Sequence, residues 1–310
     1  MDCSVIICTR DRASMLEATL NSFRAINVPE DWRVELIVAD NGSKDSTEAI
    51  VRRTELPRME IRYVHVPEPG KSRAQNAALA TARGVALLFT DDDVEPASDW
   101  LEKMGRPMLE GRCEAVAGAI QLGAELHRPW ITPMHRIWLA WIPEPDAEAP
   151  QLIGASMGVL RSVFETIGPF DEELGPGASG FGEETLLWMQ LKTAGMRILP
   201  VSDTRVIHHP EPSRLLRRAW LAAAQKFGRT DAYLKYHWEH RHVSRPECRV
   251  WWVWAKLSVR RFFAGRKDLD SEGCPAWEMS YLVELACFER LKIESCRPRR
   301  YSHRGLRLVG

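Results

Sequence analysis

The sequence predicts an α/β protein: a mostly parallel sheet with helices on both faces, followed by a helical, basic C-terminal extension. Three observations predict it. Over the first 120 residues short apolar runs alternate with stretches of helical spacing, the order from which parallel sheets are built. The runs are apolar throughout instead of alternating with polar residues, so both faces of each strand are covered. From residue 213 the strand signal stops, the period becomes helical and the charge turns positive. The division falls between residues 1–212 and 213–310.

The elements follow in order. Residues 4–8 (SVIIC) form a buried strand, and residues 12–23 have helical spacing. Residues 35–39 (ELIVA) are a second strand, and 43–54 a helix with Ser43 or Asp45 as N-cap. Residues 61–66 are a third strand. Residues 70–83 form an Ala-rich helix closed by Gly84. Residues 85–89 (VALLF) are a fourth strand, 99–109 a helix, and 115–120 a strand. Residues 121–150 are rich in Trp and Pro without a period and read as an excursion over the active face. Residues 152–160 read as a strand. Residues 168–182 carry five glycines and two prolines and read as a loop. A helix is expected over 183–194, short strands over 197–199 and 205–208, and helices over 213–228, 231–239, 248–264 and 277–292.

Composition narrows the class. With 45% hydrophobic and 27% charged residues, the chain is not disordered, collagen-like or coiled-coil. Its apolar runs reach about six residues, where a membrane span needs roughly twenty. The start, MDCSVIICTR, lacks the basic residues and long apolar run of a signal peptide. A cytoplasmic location is therefore expected. The seven cysteines include no CxxC pair, which points to reduced thiols and not to a zinc site. Residues 1–204 carry 20 Lys and Arg against 31 Asp and Glu; residues 205–310 carry 22 against 11. The acidic part suits cation-dependent chemistry. The basic part suits an anionic surface, or simply attraction to the acidic part.

Ligands bind open parallel sheets beyond the C-terminal ends of the strands. Three polar groups fall there: Thr9-Arg10-Asp11, Asp40-Asn41-Gly42 and Asp91-Asp92-Asp93. The three adjacent aspartates repel one another and suit Mg²⁺ or Mn²⁺, or else form an acidic turn that favours the next helix's dipole. Asp40 can accept from a ribose or a base, or belong to an Asn-Gly turn. Lys71 and Arg73 open the Ala-rich helix, where backbone N–H groups and cations suit a diphosphate. Glu183 and Glu184 can supply a general base or serve as first-turn acids. His208 and His209 end a strand-like stretch; one can be a third metal ligand, or both can be structural. His237, His240 and His242 are spaced like ligands but have no ordered acid or thiol around them.

Together these segments resemble the inverting family 2 glycosyltransferases. The resemblance runs through SVIICTRDR, ELIVADNGSKDST, EPGKSRAQNAALATARG, VALLFTDDDVEPASDWL, GASMGVLRSVFETIGPFDEELG, GFGEETLLWMQLKTAGMRI and RVIHHPEPSRL. It covers about residues 3–230 and implies the GT-A fold, a Rossmann-like sheet. Residues 1–120 would bind the nucleotide-sugar, and 121–212 would carry the acceptor and base part. By resemblance, Thr9, Arg10 and Asp11 line the nucleotide pocket and Asp40 contacts the base. Asp91, Asp92 and Asp93 form the DXD motif, with Asp91 near the ribose and phosphates and Asp93 on the metal. Lys71 and Arg73 would add to the diphosphate's neutralisation. The family usually has Glu-Asp where this chain has Glu183-Glu184, which makes Glu184 the expected base and Glu183 its rival. His208 takes the place of the metal-binding histidine, with His209 as the alternative.

The resemblance implies a metal-dependent, single in-line displacement from a UDP-, GDP- or dTDP-sugar to a glycan or lipid-linked hydroxyl, in polysaccharide or cell-envelope glycan synthesis. A sugar nucleotidyltransferase would want a Gly-rich loop after the first strand, and TRDRAS has no glycine. A non-catalytic sensor would be expected to lack the acids that are present. Residues 248–264 (RVWWVWAKLSVRRFF within them) fit either an interfacial helix on an anionic membrane or an aromatic helix packed on the catalytic part. The packed reading is favoured, because the aromatics sit on neighbouring positions instead of one stripe. No nucleic-acid-binding motif accompanies the basic tail.

Overall fold

The structure, a computed structural model, describes residues 1–265 and 268–309. Eight strands form one sheet: β1 (Cys3–Thr9), β2 (Val34–Asp40), β3 (Met59–His65), β4 (Ala86–Thr90), β5 (Val94–Pro96), β6 (Ala115–Leu122), β7 (Met157–Leu160) and β8 (Ile198–His208). Their order is β3-β2-β1-β4-β7-β6-β8-β5. β3, β2, β1 and β4 run parallel, as do β6 and β8. β7 opposes both β4 and β6, and β5 opposes β8. The sheet is thus mixed and mostly parallel, as the apolar strands predict.

Side chains alternate across it with period two. Val5, Ile7, Leu36 and Val38 pack on one face with helices α1 (Ala13–Ser22), α2 (Thr47–Arg53) and α4 (Trp100–Leu109). Ile6, Ile37 and Ala39 pack on the other with α3 (Lys71–Thr81), α6 (Val163–Ile167) and α7 (Glu183–Thr193). Each fully buried Leu, Ile or Val contributes about 1.5–3 kcal/mol, so these two layers hold the sheet edge that carries the polar groups. Thr9 pairs with Asp40 across β1 and β2, and Ile7 with Thr90 across β1 and β4. The ends of three parallel strands therefore meet at one edge.

Some elements depart from expectation. The strand expected over 152–160 is confined to β7. The two strands expected over 197–199 and 205–208 are one long strand, β8, whose pairing with β6 shifts register between Gly118 and Ala119. β5, α6 and α5 (Pro133–Trp138) lie where no element was expected. The helices expected over 213–228 and 231–239 are one helix, α8 (Arg217–Tyr233), continued by a π turn over Leu234–Trp238.

α8 lies against α10 (Ala276–Glu294), and Gly228 permits the close approach. A Cβ at Gly228 would collide with the Val283 carbonyl oxygen. α9 (Pro246–Ala264) packs on α10 through Val253 and Leu257, the buried residues of this helix. The helix is packed as expected, but its tryptophans and phenylalanines face outward and do not make that packing. No described helix is long and apolar enough to cross a membrane. All seven cysteines are free thiols.

Candidate active site

A cavity of about 970 Å³ opens at the shared strand edge. Asp91, Asp92 and Asp93 form its acidic floor, continuing directly from β4. The β5–β8 pairing sets His208 opposite Val94, one residue beyond Asp93. Side chains alternate along a strand, so His208 and His209 point opposite ways. His208 is buried, with Nε2 3.2 Å from Asp93 Oδ1. His209 instead turns its ring to Glu125, 2.8 Å away, and only its backbone N–H reaches the Asp93 carbonyl. Ligand atoms of Asp91, Asp93 and His208 lie within 4.8 Å of one another, the one such trio among the described residues. His237, His240 and His242 make no such group: His237 bonds Glu294 and His240 bonds the Tyr301 carbonyl.

The trio fits a divalent cation on its own chemistry. His208 Nδ1 lies 2.8 Å from the Leu139 carbonyl, which can only accept, so Nδ1 carries the hydrogen. In the neutral ring Nε2 then directs a lone pair toward Asp93 Oδ1. That oxygen is buried without a hydrogen-bond partner; His208 approaches at ion-pair distance without hydrogen-bond alignment. Two facing acceptors are satisfied by a positive charge between them, a metal ion or the proton of an imidazolium. A backbone carbonyl orienting the far nitrogen is the usual support of a ligating histidine. With the ring protonated instead, His208, then Arg12 and Arg214, hold the Asp93 carboxyl well below the ordinary range against its burial.

Asp92 is engaged elsewhere. It accepts from Thr9 Oγ1 at 2.7 Å and from Arg12 Nη1 at 2.7 Å, and burial raises its carboxyl to about 6. Arg12 also reaches Asp93 Oδ2 at 3.1 Å. Lys71 donates to Asp91 Oδ1 at 2.9 Å and lies 3.7 Å from Glu183 Oε1. These acids and Glu184 keep Lys71 well above its ordinary value despite its burial.

Left-handed Gly182 (φ 98°) starts α7 and sets Glu183 and Glu184 on the cavity wall. Glu183 is buried; burial, then the neighbouring Glu184, push its carboxyl up to about 8. Glu184 is more open. Its Oε1 accepts from the Gly154 N–H at 3.0 Å, and its Oε2 has no hydrogen bond among the described residues.

The remaining expected residues divide. Thr9 and Arg10 line the cavity. Asp11 adopts a left-handed backbone (φ 51°) and accepts from the Lys44 N–H, pinning the loop after β2. Asp40 is buried with both oxygens in use, accepting from the Ser43 N–H and the Tyr63 hydroxyl. Arg73 does not line the cavity; it pairs with Glu68 and Glu172 at 2.8 and 3.1 Å. Three cations lining the cavity have no counterpart among the expected residues: Arg12, Lys226 and Arg214. Arg214 is half-buried, with Nη2 bonded to the Trp138 carbonyl at 3.0 Å. Opposite the acids the wall is aromatic, with Trp138, Phe181, Trp188, Trp220 and Phe227.

A mixed sheet of this order is that of the GT-A fold. The chain belongs to glycosyl transferase family 2, which matches residues 4–167. It is 32% identical over 223 residues to the succinoglycan biosynthesis protein ExoM of Rhizobium meliloti, covering 70% of this chain and 69% of that one. It is 32% identical over 265 residues to the glycosyltransferase AglE of Haloferax volcanii, covering 84% and 77%. Among solved structures it resembles the mannosyltransferase PcManGT from Pyrobaculum calidifontis, in complex with GDP-Man and Mn²⁺. That TM-score is 0.56 at 19% identity, over 95% of this chain and 73% of that one, a likeness of fold.

Proposed function

We propose that the enzyme moves a sugar from a nucleoside-diphosphate donor to a hydroxyl of a glycan or lipid-linked acceptor, with inversion, in polysaccharide or cell-envelope glycan synthesis. The observation that carries this reading is the unpartnered Asp93 Oδ1 facing His208 Nε2 beside Asp91. Mn²⁺ or Mg²⁺ held by Asp91, Asp93 and His208 would supply neutralisation of the charge that develops on the departing diphosphate. A succinoglycan biosynthesis protein among the relatives and a fold neighbour in complex with GDP-Man and Mn²⁺ support the product and donor classes.

The chain's own residues do the rest. Lys71, Arg12 and Arg214 place fixed positive charge around the acids, so an anionic leaving group is met by cations already in position. Residues 1–120 carry the donor, and 121–212 bring the base and, together with Trp220 and Phe227 of α8, the acceptor wall. Glu184 is assigned the base role, because it lines the cavity and its Oε2 has no hydrogen bond among the described residues. It takes the proton from the attacking hydroxyl as the bond to the anomeric carbon forms. Glu183, buried on the same wall, and Lys71 set the local charge. The aromatic wall offers faces on which sugar rings pack.

The reading is tested by thermal unfolding with UDP-, GDP- and dTDP-sugars, each with and without Mn²⁺. A ligand at 100 times its dissociation constant stabilises by about 2.7 kcal/mol. A Mn²⁺-dependent rise for one nucleotide is the expected result and names the donor. Donor binding that ignores Mn²⁺ would remove the metal from the reading. Proton NMR of the first-formed product reads the anomeric configuration, and retention would overturn inversion.

A further inference from the structure

Helix α9 presents to solvent the side chains that a packed helix buries. Trp251, Trp252 and Trp254 are 60%, 61% and 57% exposed, and Phe262 and Phe263 are each 82% exposed. At about 100° per residue, Trp251, Phe262, Val259, Trp252 and Phe263 succeed one another over about 120° of outward arc. Only Ala255 and Cys248 fall between them, so this face carries no charge. Lys256, Arg249 and Arg260 follow on one border; on the other come Ser258, Glu247, which lies 3.8 Å from Lys292, then Trp254 and Arg261. Arg249 and Arg260 lie over the Phe288 and Trp277 rings at 5.5 and 4.5 Å, and Arg261 bonds Glu278 at 2.7 Å. Lys256 makes no ion pair among the described residues. Cations thus stand at the foot of an apolar ridge, on its protein side.

We propose that α9 docks the enzyme on an anionic lipid bilayer. Exposed apolar surface on this scale marks an interaction site. Rings of Trp and Phe suit the boundary between headgroups and acyl chains, and flanking Lys and Arg reach lipid phosphates with their apolar stems along the helix. A second copy is a poorer occupant. A two-fold pairing of α9 faces would bring Lys256, Arg249 and Arg260 of one copy beside those of the other, whereas an anionic surface neutralises that border. The surplus of 22 basic over 11 acidic residues across 205–310 acts in the same direction. On the inner side, Leu257 packs in one cluster with Trp138 and Trp220, which wall the cavity. The docked helix is thereby joined to the acceptor side of the site. Vesicle binding requires neither donor nor metal, so the proposal stands or falls apart from the transferase reading.

The test is co-sedimentation of the full chain with phosphatidylcholine vesicles, with and without phosphatidylglycerol. Wild type is expected to pellet with the anionic vesicles and to be released by salt. The double variant Phe262→Ser/Phe263→Ser is expected to partition at least about tenfold more weakly, and Lys256→Glu to weaken binding as well. Circular dichroism and the melting temperature of both variants should match wild type, since these side chains touch little of the fold. Wild type left in the supernatant with anionic vesicles would overturn the proposal. So would a double variant that pellets as wild type does. A concentration-dependent dimer abolished by the double variant, without vesicle binding, would assign the ridge to a second copy instead.

Discussion

His208 Nε2 faces Asp93 Oδ1 at 3.2 Å while Nδ1 of the same ring is fixed to the Leu139 carbonyl at 2.8 Å. The pairing of β5 with β8 produces this meeting, and strand alternation denies it to His209. Replacing His208 by Ala removes a ligand whose ring orientation is already fixed. His208→Ala should bind Mn²⁺ about 10- to 100-fold more weakly, the scale on which even outer-shell changes act. His209→Ala should bind it as wild type does. Competition of each variant with a fluorescent chelator measures the two affinities, and equal losses would remove His208 from the metal.

Glu184→Gln keeps the shape of the side chain and the bond from the Gly154 N–H but cannot take a proton. Its turnover should fall about 10²- to 10⁴-fold with donor affinity unchanged. Steady-state rates with donor binding measured separately by calorimetry decide it. A variant within about twofold of wild type would move the base to Glu183.

Glu183 gives the site a pH signature. Its carboxyl is raised by burial and by Glu184 to about 8, above the unfolded value of 4.5. A raised folded value means the native state holds the proton more tightly than the unfolded chain. Its contribution to stability is complete below about 4.5 and is lost as pH climbs toward 8. Glu183→Gln, which cannot ionise, should therefore lose less stability than wild type between pH 5 and 8. Melting temperatures of the two proteins across that window test the sign. Parallel curves would mean that Lys71 already compensates an ionised Glu183.

Much of this architecture is legible in the residues. The strands at 4–8, 35–39 and 85–89 read clearly because each is apolar on both faces and short. β5 escapes such reading because it has three residues, one of them Pro96, and exists only through its pairing with β8. β8 reads as two pieces because Ser202, Asp203 and Thr204 break the apolar run where the register shifts. Arg12 and Arg214 carry no local signal; only tertiary approach puts two ordinary surface-type residues on the acids. α9 is the instructive miss. Trp and Phe on neighbouring positions read as burial, yet the helix buries only Val253 and Leu257. Hydrophobicity records that a side chain leaves water, not which partner receives it.

Gly228 tests how α8 and α10 are joined. A helix interior ordinarily favours Ala over Gly by about 1 kcal/mol. Here a Cβ would strike the Val283 carbonyl and crowd Ala286. Overpacking of that kind costs about 1–3 kcal/mol, so Gly228→Ala should destabilise on balance. Urea unfolding gives the sign directly, and a stabilised variant would show that the two helices can separate without loss.

Arg214 decides whether the cationic wall serves the leaving group. Its guanidinium is half-buried at the cavity and bonded to the Trp138 carbonyl; desolvation pulls it below its ordinary value while Asp93 opposes that shift. A cation kept in so costly a place beside acids that a metal would also occupy has charge to spare for a diphosphate. Hydrogen bonds to charged groups contribute about 1.5–3 kcal/mol, so Arg214→Gln should weaken nucleoside-diphosphate binding by roughly 10- to 150-fold. The unphosphorylated nucleoside should bind as before, because it lacks the group that Arg214 meets. Calorimetry with the diphosphate and the nucleoside separates the two terms. If both affinities fall together, Arg214 shapes the pocket through Trp138, and the charge on the leaving group is met by Lys71 and the acids' metal without it.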